Sequence, residues 1–187
     1  QVTSFTLFLK SVFSSLPPPE ETVPCTLMSS EVKLLYYCVL LSKAVYLHPN
    51  ERDLPPELGQ VTVESRESEM YKIPYFIMES AKLDTVFVVC RGTYCFSDFL
   101  VDFMAEAVDF EHGLMHKGVY MTAKRLFSDV NQHINDIYQK FPKQKFIITG
   151  HSLGGGVAAA VTHLFHSQYP DINMSCICFA PCSSFSL

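Results

Sequence analysis

Ile148-Thr149-Gly150-His151-Ser152-Leu153-Gly154-Gly155 is the stretch on which the fold of this chain turns. It contains Gly-x-Ser-x-Gly, a pattern with three fixed positions that gains meaning from its neighbours. Upstream, Lys145 to Thr149 places Phe146, Ile147 and Ile148 in a row, which reads as a short strand covered on both faces. Downstream, the glycines give way to Val157–His166, an alanine-rich helix that Pro170 brings to a stop. Between a buried strand and a helix, a sharp turn forces the serine into a strained conformation and exposes its hydroxyl, and flanking glycines remove the Cβ atoms that would collide. Ser152 is therefore a candidate nucleophile. Leu153 follows at the helix N-terminus, where its backbone amide would face the negative charge of a tetrahedral intermediate. The alternatives are a glycine-rich turn whose serine caps the helix, or a phosphate cradle. A phosphate-binding loop of the lysine-containing kind is disfavoured by the missing Lys and the different glycine spacing.

Working outward, the remaining pattern alternates strands with helices. Tyr120, Ala123, Phe127, Val130, Ile134, Ile137 and Phe141 recur at gaps of three and four, predicting a long amphipathic helix closed by Pro142. Val61 with Val63, Ile73 to Met78, and Thr85 to Cys90 read as three strands, and Met174 to Ala180 as another. Ser29 or Ser30 caps a run, Glu31 to Leu47, that is apolar nearly all round and predicts a helix buried on most sides. His48 to Gln60, with Pro49, Pro55, Pro56 and Gly59, is an irregular connection. Residues 1–28 form a proline-interrupted lead-in, and 29–187 a single unit. The order strand, helix, strand, helix, strand is that of an α/β sheet with helices on its faces.

Composition supports this. Of 187 residues 48% are hydrophobic and only 18% charged, so the chain must bury much of itself and is not a disordered segment. A net charge of −5 argues against a nucleic-acid partner, which requires clustered Lys and Arg. Seven cysteines, an odd count, sit mostly in apolar runs and read as reduced, buried thiols. Cys176 and Cys178 share one strand face, but no second Cys or His pair stands at zinc-ligand spacing, so no metal is expected. No stretch reaches the roughly 20 apolar residues of a membrane span. The N-terminal run Phe5 to Phe13 lacks the basic start and cleavage site of a signal peptide. The chain begins at Gln1, so a signal or anchor upstream stays open.

With four motifs in order, the chain resembles the class 3, or fungal-type, lipases, which include triacylglycerol and diacylglycerol lipases. Val89-Cys90-Arg91-Gly92-Thr93 is similar to their "FRGT/S" segment, Ser97-Asp98 through Asp102 to its acidic continuation, His116-Lys117-Gly118 to the segment before the long helix, and residues 148–155 to their nucleophile elbow. The resemblance implies an α/β-hydrolase fold, with a mostly parallel sheet flanked by helices and incomplete at the C-terminus. It implies a lipid ester hydrolase acting on acylglycerols with no cofactor. It places the second oxyanion donor at Thr93, where taken alone Arg91-Gly92-Thr93 would be an ordinary strand-ending turn. Contact with a membrane or lipid-droplet surface is expected with such a substrate, and an intracellular setting is expected from the odd cysteine count and the lack of a signal. Phe96, Phe99, Leu100, Phe103 and Met104 sit at helical spacing opposite Asp98, Asp102 and Glu106, as either a lid over the site or a helix packed on the sheet.

A serine nucleophile needs a base and an orienting acid, which in this fold follow it as Asp and then His. After Ser152 the chain offers His163, His166 and Asp171. His163 lies about 16 Å along the helix from Ser152, too far to serve. Asp171 precedes a parallel strand, near the opposite edge of the sheet. His151 should point away from the serine, and His116 is read as a packing or supporting residue. The triad acid and base are therefore expected beyond Leu187, leaving the 187 residues inactive alone. The competing expectation is a lipase-fold protein that lost the triad and serves as a lipid-binding or interaction module.

Overall fold

The computed structural model describes residues 29–92, 106–110, 113–182 and 185–186. Helix α1 is Ser29–Ala44, followed by two 3-10 turns and strands β1 (Gln60–Ser65), β2 (Tyr75–Ser80) and β3 (Thr85–Cys90). A hairpin of β4 (Ala107–Phe110) and β5 (Gly113–His116) leads into α2 (Lys117–Lys140), then β6 (Lys145–His151), α3 (Leu153–Gln168), β7 (Met174–Phe179) and β8 (Phe185–Ser186). The main sheet has the order β1-β2-β3-β6-β7. β3, β6 and β7 pair in parallel, while β2 is antiparallel to both β1 and β3. Four of the five strands thus point the same way.

Side chains alternate between the two faces of this sheet, as the pleat requires. Tyr75, Ile77, Val86, Val88, Phe146 and Ile148 pack beneath α2 and α3, whereas Phe76, Met78, Phe87, Val89 and Ile147 pack against α1 and Leu58. The result is three layers, helix on sheet on paired helices. The near-continuous apolar runs of β3 and β6 follow from burial on both sides.

Two expectations need correction. α1 buries one face only: Tyr37, Cys38, Leu41 and Ala44 meet the sheet, while Val32, Tyr36 and Val39 are exposed. A single helix lying on a sheet face can cover no more than that stripe of itself. The helix after Ser152 begins at Leu153, not Val157, so Gly154, Gly155 and Gly156 form its first turn. The sequence pattern does not single out the hairpin that precedes α2. Ala107–Phe110 is a strand paired with Gly113–His116, in which Val108 and Phe110 alternate with Asp109 and pack toward the core. The stripe of Phe96, Phe99, Leu100, Phe103 and Met104 lies outside the described residues. Among the described residues, no helix is long and apolar enough to cross a membrane.

Candidate active site

β3 and β6 run side by side, with Cys90 paired to Gly150, so both strands end at one edge of the molecule. Ser152 stands there, between β6 and α3, with φ 56° and ψ −124°. Non-glycine residues pay about 1–3 kcal/mol to hold such a conformation, which persists only where the surroundings over-determine it. Here they do. The Ser152 amide donates to the Phe179 carbonyl at 3.0 Å, and the Ser152 carbonyl accepts from Gly155 at 3.0 Å, Gly156 at 3.1 Å and Cys182 at 3.3 Å. Ala180, just past β7, also has positive φ, at 40°. Although Ser152 occupies the N-cap position of α3, its side chain makes no capping hydrogen bond.

Two glycines let α3 start so close to β3. A Cβ on Gly154 would lie 2.4 Å from the Cys90 carbonyl oxygen, and one on Gly150 2.6 Å from the Gly154 backbone and 2.8 Å from the same oxygen. The first turn of α3 therefore rests on the backbone end of β3. Leu153 is its first residue, and the first amides of a helix have no acceptor within it. Gly92 touches the same place: its amide donates to the Tyr46 hydroxyl at 2.9 Å, and a Cβ there would meet the His151 carbonyl at 2.7 Å. Thr93, the expected second oxyanion donor, lies outside the described residues. Tyr46, which ties α1's end to the end of β3, has no pattern in the sequence that would single it out. Thr149 is another such bolt, donating to the Ile177 carbonyl at 2.7 Å and lying 3.2 Å from the Ser42 hydroxyl on α1.

Among the described residues, His116, His163 and His166 have structural partners. His116 caps α2, its Nδ1 accepting from the amides of Gly118 at 3.1 Å and Val119 at 3.4 Å. His163 packs edge-on to Phe110 with centroids 4.7 Å apart, and its Nε2 lies 3.3 Å from the Ser167 hydroxyl. His166 Nε2 lies 3.0 Å from the Met174 carbonyl oxygen. A histidine–carboxylate pair does occur, His133 with Glu79 at 3.3 Å, but sixteen residues along α2 from its start puts it about 24 Å from that end. His151 is half-buried, and burial lowers its pKa, favouring the neutral ring. Asp171 is exposed in the turn entering β7. Because β7 runs parallel to β6, with Met174 level with Phe146 and Phe179 level with His151, Asp171 lies at the start of these strands and Ser152 at their end, as its place before a parallel strand led one to expect.

The sequence of the class 3 lipases matches residues 87–186. Mouse diacylglycerol lipase-beta is 28% identical over 116 residues, 58% of this chain and 17% of that protein. The crystal structure of a lipase from Rhizopus microsporus var. chinensis superposes with a TM-score of 0.72 at 21% identity, covering 88% of this chain and 63% of that one. A triacylglycerol lipase whose catalytic centre is a serine protease triad gives 0.68 at 20% identity, covering 79% and 61%. These likenesses show the α/β-hydrolase fold. The chain thus spans under a fifth of that curated relative and somewhat under two thirds of the solved lipases.

Proposed function

The chain belongs to the class 3 lipase family, and from that premise we propose that it carries the nucleophile of a serine hydrolase that cleaves acylglycerol esters. The observation that supports this most is the strained backbone of Ser152 at the shared end of β3 and β6. Strain of this kind is retained where it serves a site. In the proposed reaction the Ser152 hydroxyl attacks the acyl carbonyl, forming a tetrahedral intermediate. The Leu153 amide and Thr93 hold its oxyanion, the alcohol departs, and water then releases the fatty acid. The base and its orienting acid come from sequence beyond Leu187. The engagement of His116, His163 and His166 in capping and packing supports looking there. No metal or organic cofactor is needed for this chemistry.

A diacylglycerol substrate is favoured by the mouse relative and a triacylglycerol one by the fungal structures, and either is met at a lipid surface. The turn between β1 and β2 lies at the same end as Ser152, since Tyr75 pairs with Cys90. It lifts Met70, 84% exposed, and Tyr71 beside Lys72, Met121, Lys124 and Arg125. Glu69 lies among them, and Lys72 and Arg125 are paired with Glu67 and Asp129, so the exposed apolar tips, and not a net positive charge, are what would suit contact with a lipid surface.

The test uses the chain together with its native downstream sequence. A fluorophosphonate probe should label Ser152, diacylglycerol should be hydrolysed, and Ser152→Ala should abolish both. Labelling that survives Ser152→Ala would overturn the nucleophile assignment. Lipid binding by the extended protein with neither labelling nor turnover would favour a noncatalytic lipid-binding role.

A further inference from the structure

Cys176 and Cys178 are separated by one residue on β7, so their side chains emerge on the same face. Their sulfurs are 3.0 Å apart, and the Cys178 thiol also donates to the Gly155 carbonyl at 3.1 Å in the first turn of α3. Both are half-buried, whereas Cys38 and Cys90 are fully enclosed. The pair lies against the turn that carries Ser152. Cys178 is paired with Gly150 in the sheet, and the next residue, Phe179, accepts the Ser152 amide at 3.0 Å.

We propose that Cys176 and Cys178 are a modification site for hydroperoxides, closing to a disulfide that disturbs the Ser152 turn. The Cys178 sulfur attacks the distal oxygen of the hydroperoxide and the O–O bond breaks. The departing alkoxide takes up the Cys178 thiol proton and leaves as an alcohol, and Cys178 becomes a sulfenic acid. The Cys176 sulfur then attacks that sulfur. An S–S bond forms, the S–O bond breaks, and hydroxide leaves as water with the Cys176 proton. Two thiols lose two electrons, which reduce the peroxide bond.

The neighbouring groups assign the roles. Cys178 directs its own proton to the Gly155 carbonyl, so Cys176 is the donor between the two sulfurs, which holds Cys178 below the usual thiol range and pushes Cys176 above it. Burial pushes Cys38 up to about 12 and raises Cys90 as well, so those two are inert by comparison. Closure of the disulfide removes the thiol that donates to Gly155 and draws β7 together immediately before Phe179. The hydrogen bonds that fix Ser152 are thereby strained from one side. That last consequence rests on the proposed role of Ser152, whereas disulfide formation does not.

The experiment treats the chain with its native flanks with hydrogen peroxide, alkylates the remaining thiols and maps the peptides by mass spectrometry. A peptide two hydrogens lighter, with Cys176 and Cys178 both unalkylated and restored by dithiothreitol, is the expected product, with Cys38 and Cys90 still alkylated. In Cys176→Ser, dimedone should trap a sulfenic acid on Cys178. In Cys178→Ser, a dimedone adduct on Cys176 should form about tenfold more slowly or less. A disulfide from Cys182 to either residue, or all cysteines oxidising at one rate, would overturn the site. Fluorophosphonate labelling is followed in the same samples. Disulfide formation with undiminished labelling would overturn the coupling to Ser152. Absence of labelling in the reduced protein would count against the hydrolase reading, while the peptide map would still decide the dithiol.

Discussion

Ser152 and Phe179 are joined by a 3.0 Å backbone hydrogen bond across two neighbouring parallel strands, so the conformation of the serine is set by β7 as much as by its own strand. That bond makes the strain at Ser152 a property of the assembled sheet. Ser152→Ala should keep both the strain and the thermal midpoint while losing probe labelling. Ser152→Gly should also lose labelling but relieve the positive φ, with a net gain of about 1 kcal/mol after the greater freedom of glycine in the unfolded chain is counted. Chemical denaturation of the three proteins checks this, and a Gly variant no more stable than the Ala variant would contradict it.

Gly154→Ala tests the contact between α3 and the end of β3. The new Cβ would fall 2.4 Å from the Cys90 carbonyl oxygen and 2.9 Å from the Gly92 amide nitrogen, both of them backbone atoms with little room to yield. A loss of roughly 1–3 kcal/mol is expected from such overpacking. Because the helix must move away from β3, probe labelling should fall too. Gly155→Ala, whose Cβ would meet neighbours at 3.2–3.3 Å, should be milder in both measurements.

His116 is expected to matter for stability and not for chemistry. Its ring nitrogen accepts two amides at the start of α2, so His116→Ala should cost about 1 kcal/mol, and His116→Asn should restore most of it by capping in its place. Labelling of Ser152 by fluorophosphonate should proceed at the wild-type rate in both variants. A large loss of labelling in the folded Asn variant would instead assign His116 to the reaction.

Arg52 and Glu64 give the fold an acid-sensitive clasp. Arg52, 5% exposed, donates to Glu64 at 2.6 Å and 3.2 Å and also to the carbonyls of Ala44 and Leu47. Burial raises the Glu64 pKa, but the opposing hydrogen bonds and charges of Arg52 and Arg66 outweigh it and leave the carboxyl below its usual range. A carboxyl lowered on folding stabilises the folded state above its unfolded pKa, and that contribution fades as the pH falls through the lowered folded value. Glu64→Gln should therefore cost roughly 1.5–3 kcal/mol at neutral pH, the range for a hydrogen bond to a charged group, and less below about pH 4. Denaturation midpoints of both proteins across pH 3–8 measure the difference.

The residues most legible beforehand were those whose chemistry is local. A serine bracketed by Gly150 and Gly154 after three buried apolar residues needs only its neighbours to be read, and the structure puts it at the strand-to-helix junction. The periodicity that ends at Phe141 likewise marks α2 within a few residues of its bounds. What stayed hidden depends on distant partners. Val32, Tyr36 and Val39 are as apolar as the buried side of α1, so composition could not tell which stripe meets the sheet. The β4–β5 hairpin stays hidden because its strands are only four residues long, and their pairing, Val108 with Met115 and Phe110 with Gly113, is what defines them. Tyr46 and Ser42 act on residues far along the chain, and nothing in their surroundings announces it.

The parallel pairing of β3 with β6 joins Val88 to Ile148 across the whole β4–α2 region. Such a loop must close before any of its ladder bonds form, which makes this step slow compared with helix formation. As the chain leaves the ribosome, the Cys90 end of β3 emerges first and waits while all of α2 is synthesised. Only then does β6 arrive, and the hydrogen bond that holds Ser152 at positive φ has no acceptor until β7 supplies the carbonyl of Phe179. Until that moment the uncovered apolar edge of β3 is the surface that a chaperone would have to shield.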